Sequence, residues 1–352
     1  MALWRGAVED MAVKGRRFWK GRNVLVSGGA GFIGYALATQ LAKLGAKVVV
    51  LDIKPSLPDF TLGKFDGRTV RGKASNGAGK KIKFVRGSVT SKQTVEAVLR
   101  KHKIKTVFHL AAEAIVARAN RDPARALYNN AQGTWTLLEA IRQYGNVSET
   151  VVASSDKAYG SHEHLPYTEK AALRGLNPYD CSKSCTDLIA QMYAHAFALP
   201  IAILRCGNVY GPGDTNWSRL IPDAFRCVAK GNILDIRSDG TFKRDYVYID
   251  DIVDAYLLIA EKVISKKLRG EAFNIGNNRP LRVVDVLKEM SRVVPALQYK
   301  ILNTAKNEIK HQYLDSSKAR RKLLWRARTS FREGLQNTSA WYAAYLARRR
   351  RV

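Results

Sequence analysis

The sequence predicts an α/β fold, a doubly wound parallel sheet with a smaller C-terminal substrate-binding lobe. Three observations lead there. The apolar run Asn23-Val24-Leu25-Val26 enters a glycine turn and then a segment with helical spacing. Strand-like and helix-like segments alternate as far as Tyr210, the pattern of parallel strands joined by crossover helices. Beyond Tyr210 the chain breaks into Gly- and Pro-punctuated pieces with shorter helices.

The elements follow in order. After the first strand, Phe32 to Leu44 reads as a helix closed by Gly45. Lys47 to Ile53, Ile82 to Val85 and Thr106 to Leu110 read as strands, with Lys92 to Lys101 a helix before the last of them. A helix over Ala124 to Gln143, a strand Thr150 to Ala153, a long helix Pro178 to Phe197 and a strand Ile201 to Arg205 extend the same sheet. Helices at Ile221 to Ala229, Asp251 to Ile264 and Val283 to Val293 belong to the lobe, which is interleaved with returns to the sheet.

Composition narrows the class. With 46% hydrophobic and 25% charged residues, the 352-residue chain has the make-up of a globular protein, not of a collagen-like, disordered or disulfide-stapled one. Its 59 Lys and Arg against 30 Asp and Glu give a net charge of +29, which attracts anions without specifying which. The basic stretch Gly63 to Arg86 and the tail Arg348 to Arg351, after a helix holding Trp341, Tyr342 and Tyr345, read first as solvated surface. Cys181, Cys185, Cys206 and Cys227 lack metal-ligand spacing, so no metal is expected, and a cytoplasmic location fits the cysteine usage. No run is long and apolar enough for a membrane span.

Gly28, Gly31 and Gly34 follow a strand and open a helix. Glycines there allow the tight turn and the close approach of a pyrophosphate, which the helix N-terminus attracts. Asp52, at the end of the second strand, supplies the carboxylate for adenosine ribose hydroxyls and disfavours a 2′-phosphate. NAD is therefore the expected cofactor, on a Rossmann-type domain over 1–210 that carries a basic extension at 1–22. Residues 211–352 are expected to be mainly the substrate-binding lobe.

Tyr179 and Lys183 share one face at the start of a helix. An ammonium near a phenol favours phenolate, so Lys183 is expected to lower the Tyr179 pKa for proton exchange with a hydroxyl. The strand ending at Ser155 delivers that hydroxyl to the same crevice, followed by Asp156 and Lys157. These last two either act as acid and base or pair with each other on a loop.

Taken together, these residues resemble the extended short-chain dehydrogenase/reductase family, in its NAD-dependent epimerase/dehydratase branch. Further matches are His109-Leu110-Ala111-Ala112, Asn130-Ala131-Gln132-Gly133-Thr134 and Gly207-Asn208-Val209-Tyr210-Gly211-Pro212-Gly213. The resemblance implies catalytic roles for Ser155, Asp156, Lys157, Tyr179 and Lys183. It implies cofactor contacts at Gly28, Gly31, Phe32, Ile33, Gly34, Asp52, Ser88, Val89, Leu110, Ala111, Ala112 and Asn130, besides Tyr179 and Lys183. Asn208, Arg219 and Arg244 are implied at the sugar nucleotide, Arg244 on its diphosphate. Ser88 departs from the family, which commonly has an aspartate there.

The Asp-Lys pair is most similar to the 4,6-dehydratases, with CDP-glucose the expected substrate, converted to a 4-keto-6-deoxyhexose by an internal hydride shuttle. Two other readings stand: a nucleotide-sugar 4-epimerase, which needs neither Asp156 nor Lys157, and a non-catalytic protein holding a polyanion. No nucleic-acid recognition motif is present. A homodimer or homotetramer is implied by the resemblance, through the helices Ala124 to Gln143 and Pro178 to Phe197.

Overall fold

Runs such as Val24-Leu25-Val26 and Val48-Val49-Val50-Leu51 are apolar at every position, so a strand made from them must be covered on both faces. A computed structural model shows this arrangement and describes residues 17–58, 63–65, 68–70, 82–305 and 308–349. Most of the basic stretch Gly63 to Arg86, the first sixteen residues with Trp4 and Met11, and Arg350 and Arg351 lie outside the described residues.

The strands are β1 (Asn23–Ser27), β2 (Lys47–Asp52), β3 (Ile82–Arg86), β4 (Thr106–His109), β5 (Glu149–Ser155), β6 (Ile201–Cys206) and β7 (Ala272–Ile275). All pair in parallel, in the order β7-β6-β5-β4-β1-β2-β3. Leu25 stands level with Val49 on one side and Val107 on the other. The strand order reverses between β1 and β4, and a doubly wound sheet opens its ligand crevice at that point, beyond the carboxyl ends of the strands.

Alternate residues feed two cores. Val24, Val26, Val48, Val50 and Phe108 pack beneath α1 (Phe32–Lys43) with Leu37 and Leu41. Leu25, Val49, Leu51 and Val107 point the other way, toward α2 (Lys92–Lys101) and α3 (Gly133–Tyr144). The long α4 (Pro178–Ala196) packs beside α3. It begins with proline at a first-turn position, where the missing N–H costs nothing.

The segment expected as one helix over Ala124 to Gln143 is divided. A short helix Pro123–Leu127, capped by Asp122, runs into a π turn Tyr128–Gln132 before α3 begins. Asn130 explains the interruption. Its carbonyl accepts from the Thr134 and Thr186 hydroxyls, while its amide reaches across to Glu113 and Ser182. Side chains inserted in this way widen a helical turn.

The second half of the chain supplies α5 (Leu220–Lys230), α6 (Ile249–Lys262), α7 (Val283–Val293) and α8 (Phe331–Arg349), and lends β7 to the main sheet. Helix α6 packs on the α1 face of the sheet. Asn208–Tyr210 pairs in parallel with Tyr246–Tyr248, and Lys243–Arg244 lies between Leu281–Arg282 and His311–Gln312. Trp341 and Tyr342 of α8 are buried against this lobe, so the aromatic residues of the tail serve its core.

Candidate active site

The turn after β1 is built from glycine for a spatial reason. Gly28 has φ +73° and a Cβ on it would stand 2.6 Å from the backbone nitrogen of Ala111, where the chain leaves β4. A Cβ on Gly34 would overlap the carbonyl oxygen of Gly28. Gly31 caps α1 with no side chain bonded to the helix end, and the first turn, which starts with Phe32 and Ile33, carries no acid. Its N–H groups and dipole are thus arranged for an anion.

Asp52 is buried beside this turn. Its carboxylate accepts from the Ala30 N–H at 2.9 Å and the Lys54 N–H at 3.0 Å, while Lys54 Nζ donates to the Ala30 carbonyl at 2.7 Å. Each carboxylate oxygen keeps accepting capacity for a diol. Leu110, Ala111 and Ala112 form the facing wall, tied by the Leu110 N–H to the Ser27 carbonyl at 3.0 Å. This cradle fits a dinucleotide: a tight glycine turn, an uncapped helix end and a nearby carboxylate.

Three of the expected contact residues are otherwise engaged. Val89 is buried in the core against α3, so its side chain is directed away from the crevice. Ser88 shares a 2.8 Å hydrogen bond with the Thr90 hydroxyl. Asn130 spends its amide on the Glu113 backbone and on Ser182, whose hydroxyl donates to the Tyr179 carbonyl at 2.7 Å. Its place is therefore to join the wall after β4 to the first turn of α4.

Beneath the crevice lies a buried relay that the motifs only hint at. Thr134 donates to the Asn130 carbonyl, so its oxygen accepts from His109 Nε2, and His109 Nδ1 accepts from Ser27. This arrangement requires the neutral Nε2–H tautomer. Burial, assisted by the Lys183 charge, lowers the His109 pKa to about 3.

Tyr179 and Ser155 meet at the carboxyl ends of β5 and β6, joined by a hydrogen bond. Lys183, one turn along α4, donates from Nζ to the Ala153 carbonyl at 3.0 Å. The expected lowering of the Tyr179 pKa by Lys183 is not what the geometry gives. Burial pushes the phenol well above its usual range, with the buried Cys206 thiol adding to the rise. The opposing charge is that of Arg219, helped by Ser155. Lys183 itself is lowered by burial to about 8. Its ammonium is engaged by the Ala153 carbonyl of β5.

Asp156 and Lys157 form a short 3-10 turn directly after β5. Asp156 is 3% exposed; Oδ1 accepts from Ser155 at 3.0 Å, and Oδ2 has no donor among the described residues. Burial raises its pKa, Lys157 and Arg244 oppose the rise, and Asp180 adds to it. Lys157 is lowered by burial and by Arg244, against the pull of Asp156 and Asp180. A raised acid beside a lowered base is the arrangement for transferring protons in both directions near neutral pH.

The sugar-nucleotide candidates are divided. Arg219 donates to Asp214 at 3.1 Å and brings its charge to Tyr179. Half-buried Asn208 lies level with Tyr246 in the adjoining strand pair. Arg244 differs from the expectation: its guanidinium donates to the carbonyls of Ile309 at 2.6 Å, Lys243 at 2.9 Å and Lys310 at 3.0 Å. Those carbonyls fix it within reach of the Asp156–Lys157 turn, where it presses both groups toward their unprotonated forms.

Residues missed in the sequence complete the surroundings. Asp180 follows Tyr179 and is buried against the same turn; adjacency to the Tyr-x-x-x-Lys motif was its signal. Gln312 donates to the Asp156 carbonyl at 3.0 Å across 156 residues, and no local pattern marks it.

The chain belongs to the NAD dependent epimerase/dehydratase family, which it matches over residues 24–276. Its cofactor is NAD. Among relatives, a trifunctional UDP-glucose 4,6-dehydratase, 3,5-epimerase and reductase of Arabidopsis thaliana is 29% identical over 331 residues, 91% of this chain. The chain spans about half the length of that relative, 47%. The CDP-glucose 4,6-dehydratase of Salmonella typhimurium is 27% identical over 349 residues, 94% of this chain and 93% of that one. Among solved structures, a dTDP-glucose 4,6-dehydratase of Streptomyces venezuelae with NAD bound is similar at a TM-score of 0.80 and 28% identity, covering 91% of this chain and 97% of that one. A UDP-glucose 4-epimerase of Thermotoga maritima with UDP-glucose is similar at 0.81 and 31%, covering 92% and 99%. Dehydratases and epimerases of nucleotide sugars thus both stand among the relatives. Among the described residues, no helix is long and apolar enough to cross a membrane.

Proposed function

We propose that the protein is a nucleotide-sugar 4,6-dehydratase, a lyase that converts an NDP-hexose, CDP-glucose first, into the NDP-4-keto-6-deoxyhexose. The observation that carries the reading is the buried Asp156–Lys157 turn next to Tyr179. A 4-epimerase has no use for a raised acid and a lowered base there.

NAD, when bound, supplies the hydride acceptor and the hydride returned later, and brings a positive ring into the crevice. Gly28, Gly31, Gly34 and Asp52 would hold its adenosine diphosphate half, and Lys183 its second ribose. Tyr179, oriented by Ser155, takes the proton of the carbon-4 hydroxyl. Oxidation at carbon 4 acidifies carbon 5. Lys157 then removes the carbon-5 proton while Asp156 protonates the departing carbon-6 hydroxyl, so that water leaves across carbons 5 and 6. Lys157 returns a proton to carbon 5 as carbon 6 is reduced. Asn208 and Arg219, on the lobe side, would position the nucleotide.

The test is Asp156→Asn with a panel of CDP-, UDP-, GDP- and dTDP-glucose. Wild type should yield a 4-keto-6-deoxy product, seen by its absorbance in alkali. The variant should lose elimination by on the order of 10²-fold or more while cofactor reduction stays measurable. Equal loss of both steps, or a wild-type product that is only the carbon-4 epimer, overturns the reading.

A further inference from the structure

Part of the chain's large positive charge lies at one end of the sheet, opposite the crevice. There β1, β2, β3 and β4 begin, and their first residues and approaches carry exposed lysines: Lys20, Lys47, Lys83, Lys101, Lys103 and Lys105. The pairing makes them neighbours. Lys47 lies level with Asn23 and bonds through its N–H to the Arg22 carbonyl at 2.8 Å; Lys105 bonds to the Asn23 carbonyl at 2.9 Å. Asn23 Nδ2 donates to the Lys103 carbonyl at 3.1 Å. Lys83 is two residues into the same edge on β3, and Lys20 lies beside Gly45. Four strands about 4.8 Å apart set these ammonium groups along a row roughly 15 Å wide.

Acids at this end are already engaged. Glu149, which starts β5, accepts from Arg22 and from Thr106 at 2.8 Å, and Glu261 accepts from Trp19 Nε1. Among the described residues, none of the six lysines stands within 4.0 Å of a carboxylate in an ion pair. His102, next to Lys101 and Lys103, is held below its usual pKa by burial and then by Lys83 and Lys101.

We propose that this lysine rim is a docking surface for the phosphate backbone of a nucleic acid, bound without regard to sequence. Lysines are point charges suited to phosphate, whereas base reading uses bidentate arginine or amide groups, and here the Arg22 guanidinium is engaged by Glu149 and the Asn23 amide by the Lys103 carbonyl. An anionic membrane fits less well. Stable attachment to lipid takes a second, apolar signal, and no large hydrophobic side chain is exposed anywhere in 17–52 or 82–110. The crevice lies at the other end of the strands, so the two surfaces can be filled together.

The test uses the full chain and a labelled duplex of about 20 base pairs of arbitrary sequence, followed by fluorescence anisotropy across a salt series. Binding should weaken with a log–log slope near −4 to −5, the release expected for about five neutralised phosphates. Lys47→Gln, Lys101→Gln and Lys105→Gln together should reduce the slope by about 3, with an unchanged melting point and unchanged NAD binding. Changing Lys230, Arg279 and Lys288 of the lobe to Gln should leave duplex binding near wild type. Equal loss in both triple variants would mean diffuse charge and overturn the proposal. So would absence of duplex binding at low salt, or capture by phosphatidylserine vesicles without duplex binding.

Discussion

Tyr179 is buried and pushed upward in pKa, with Arg219 and Ser155 pulling the other way. Tyr179→Phe should therefore abolish cofactor reduction by any sugar nucleotide while leaving NAD binding within a few-fold, measured by fluorescence titration. Elimination needs Lys157 unprotonated and Asp156 protonated. Burial lowers the first and raises the second, so the rate should rise with pH below the ordinary lysine range and fall above the ordinary carboxylate range, giving a bell in kcat. His109 offers a stability test. Its folded pKa is depressed, so the unfolded chain binds the extra proton between about pH 3 and 6.5, and stability drops as pH falls through that window. His109→Gln keeps a donor and an acceptor but does not titrate. The melting-point gap between it and wild type should narrow on going from about pH 7 to about pH 4. At this scale the motif residues were readable because their chemistry is local: Tyr179, Lys183 and Ser155 do lie together. The pKa logic was not readable, because it depends on burial and on Arg219 and Arg244 arriving from other elements.

Helix α4 has to be fixed on the sheet for Tyr179 to face Ser155, and one buried ion pair does much of this. Arg205 of β6 donates twice to Asp187 of α4, both at 2.8 Å, and once to the Tyr159 hydroxyl at 2.8 Å. Replacing Arg205 by Met leaves a buried, unpaired carboxylate and should cost about 3–5 kcal/mol of unfolding free energy in urea. The turn after β1 is equally demanding. Gly28→Ala places a side chain at positive φ against the Ala111 backbone, and should weaken NAD binding together with stability by about 1–3 kcal/mol. Most strands and helices up to β6 were legible because their apolar periods are uninterrupted; the six-residue helix Val116–Arg121 is too short to show one. The split of the Ala124 to Gln143 helix was not, since Thr134 and Thr186 act on the Asn130 carbonyl, one of them from a different helix.

Across the whole molecule the alternation of strand and helix gave the parallel sheet, while β7, four residues long and contributed from beyond residue 270, has too short a pattern to be assigned a place. Oligomeric state is a further expectation at this scale. Trp135 on α3 and Leu188 and Met192 on α4 are 45%, 55% and 45% exposed, an apolar face suited to a second copy. Sedimentation should show a dimer or tetramer, and Leu188→Glu should shift it to a smaller species. The central claim is that one sugar gives up a hydride and receives it back. Wild-type protein with catalytic NAD and CDP-glucose carrying deuterium at carbon 4 addresses this directly by mass spectrometry and NMR of the product. The expected result is deuterium in the carbon-6 methyl group with no net reduction of NAD; deuterium retained at carbon 4 of an epimer would contradict it.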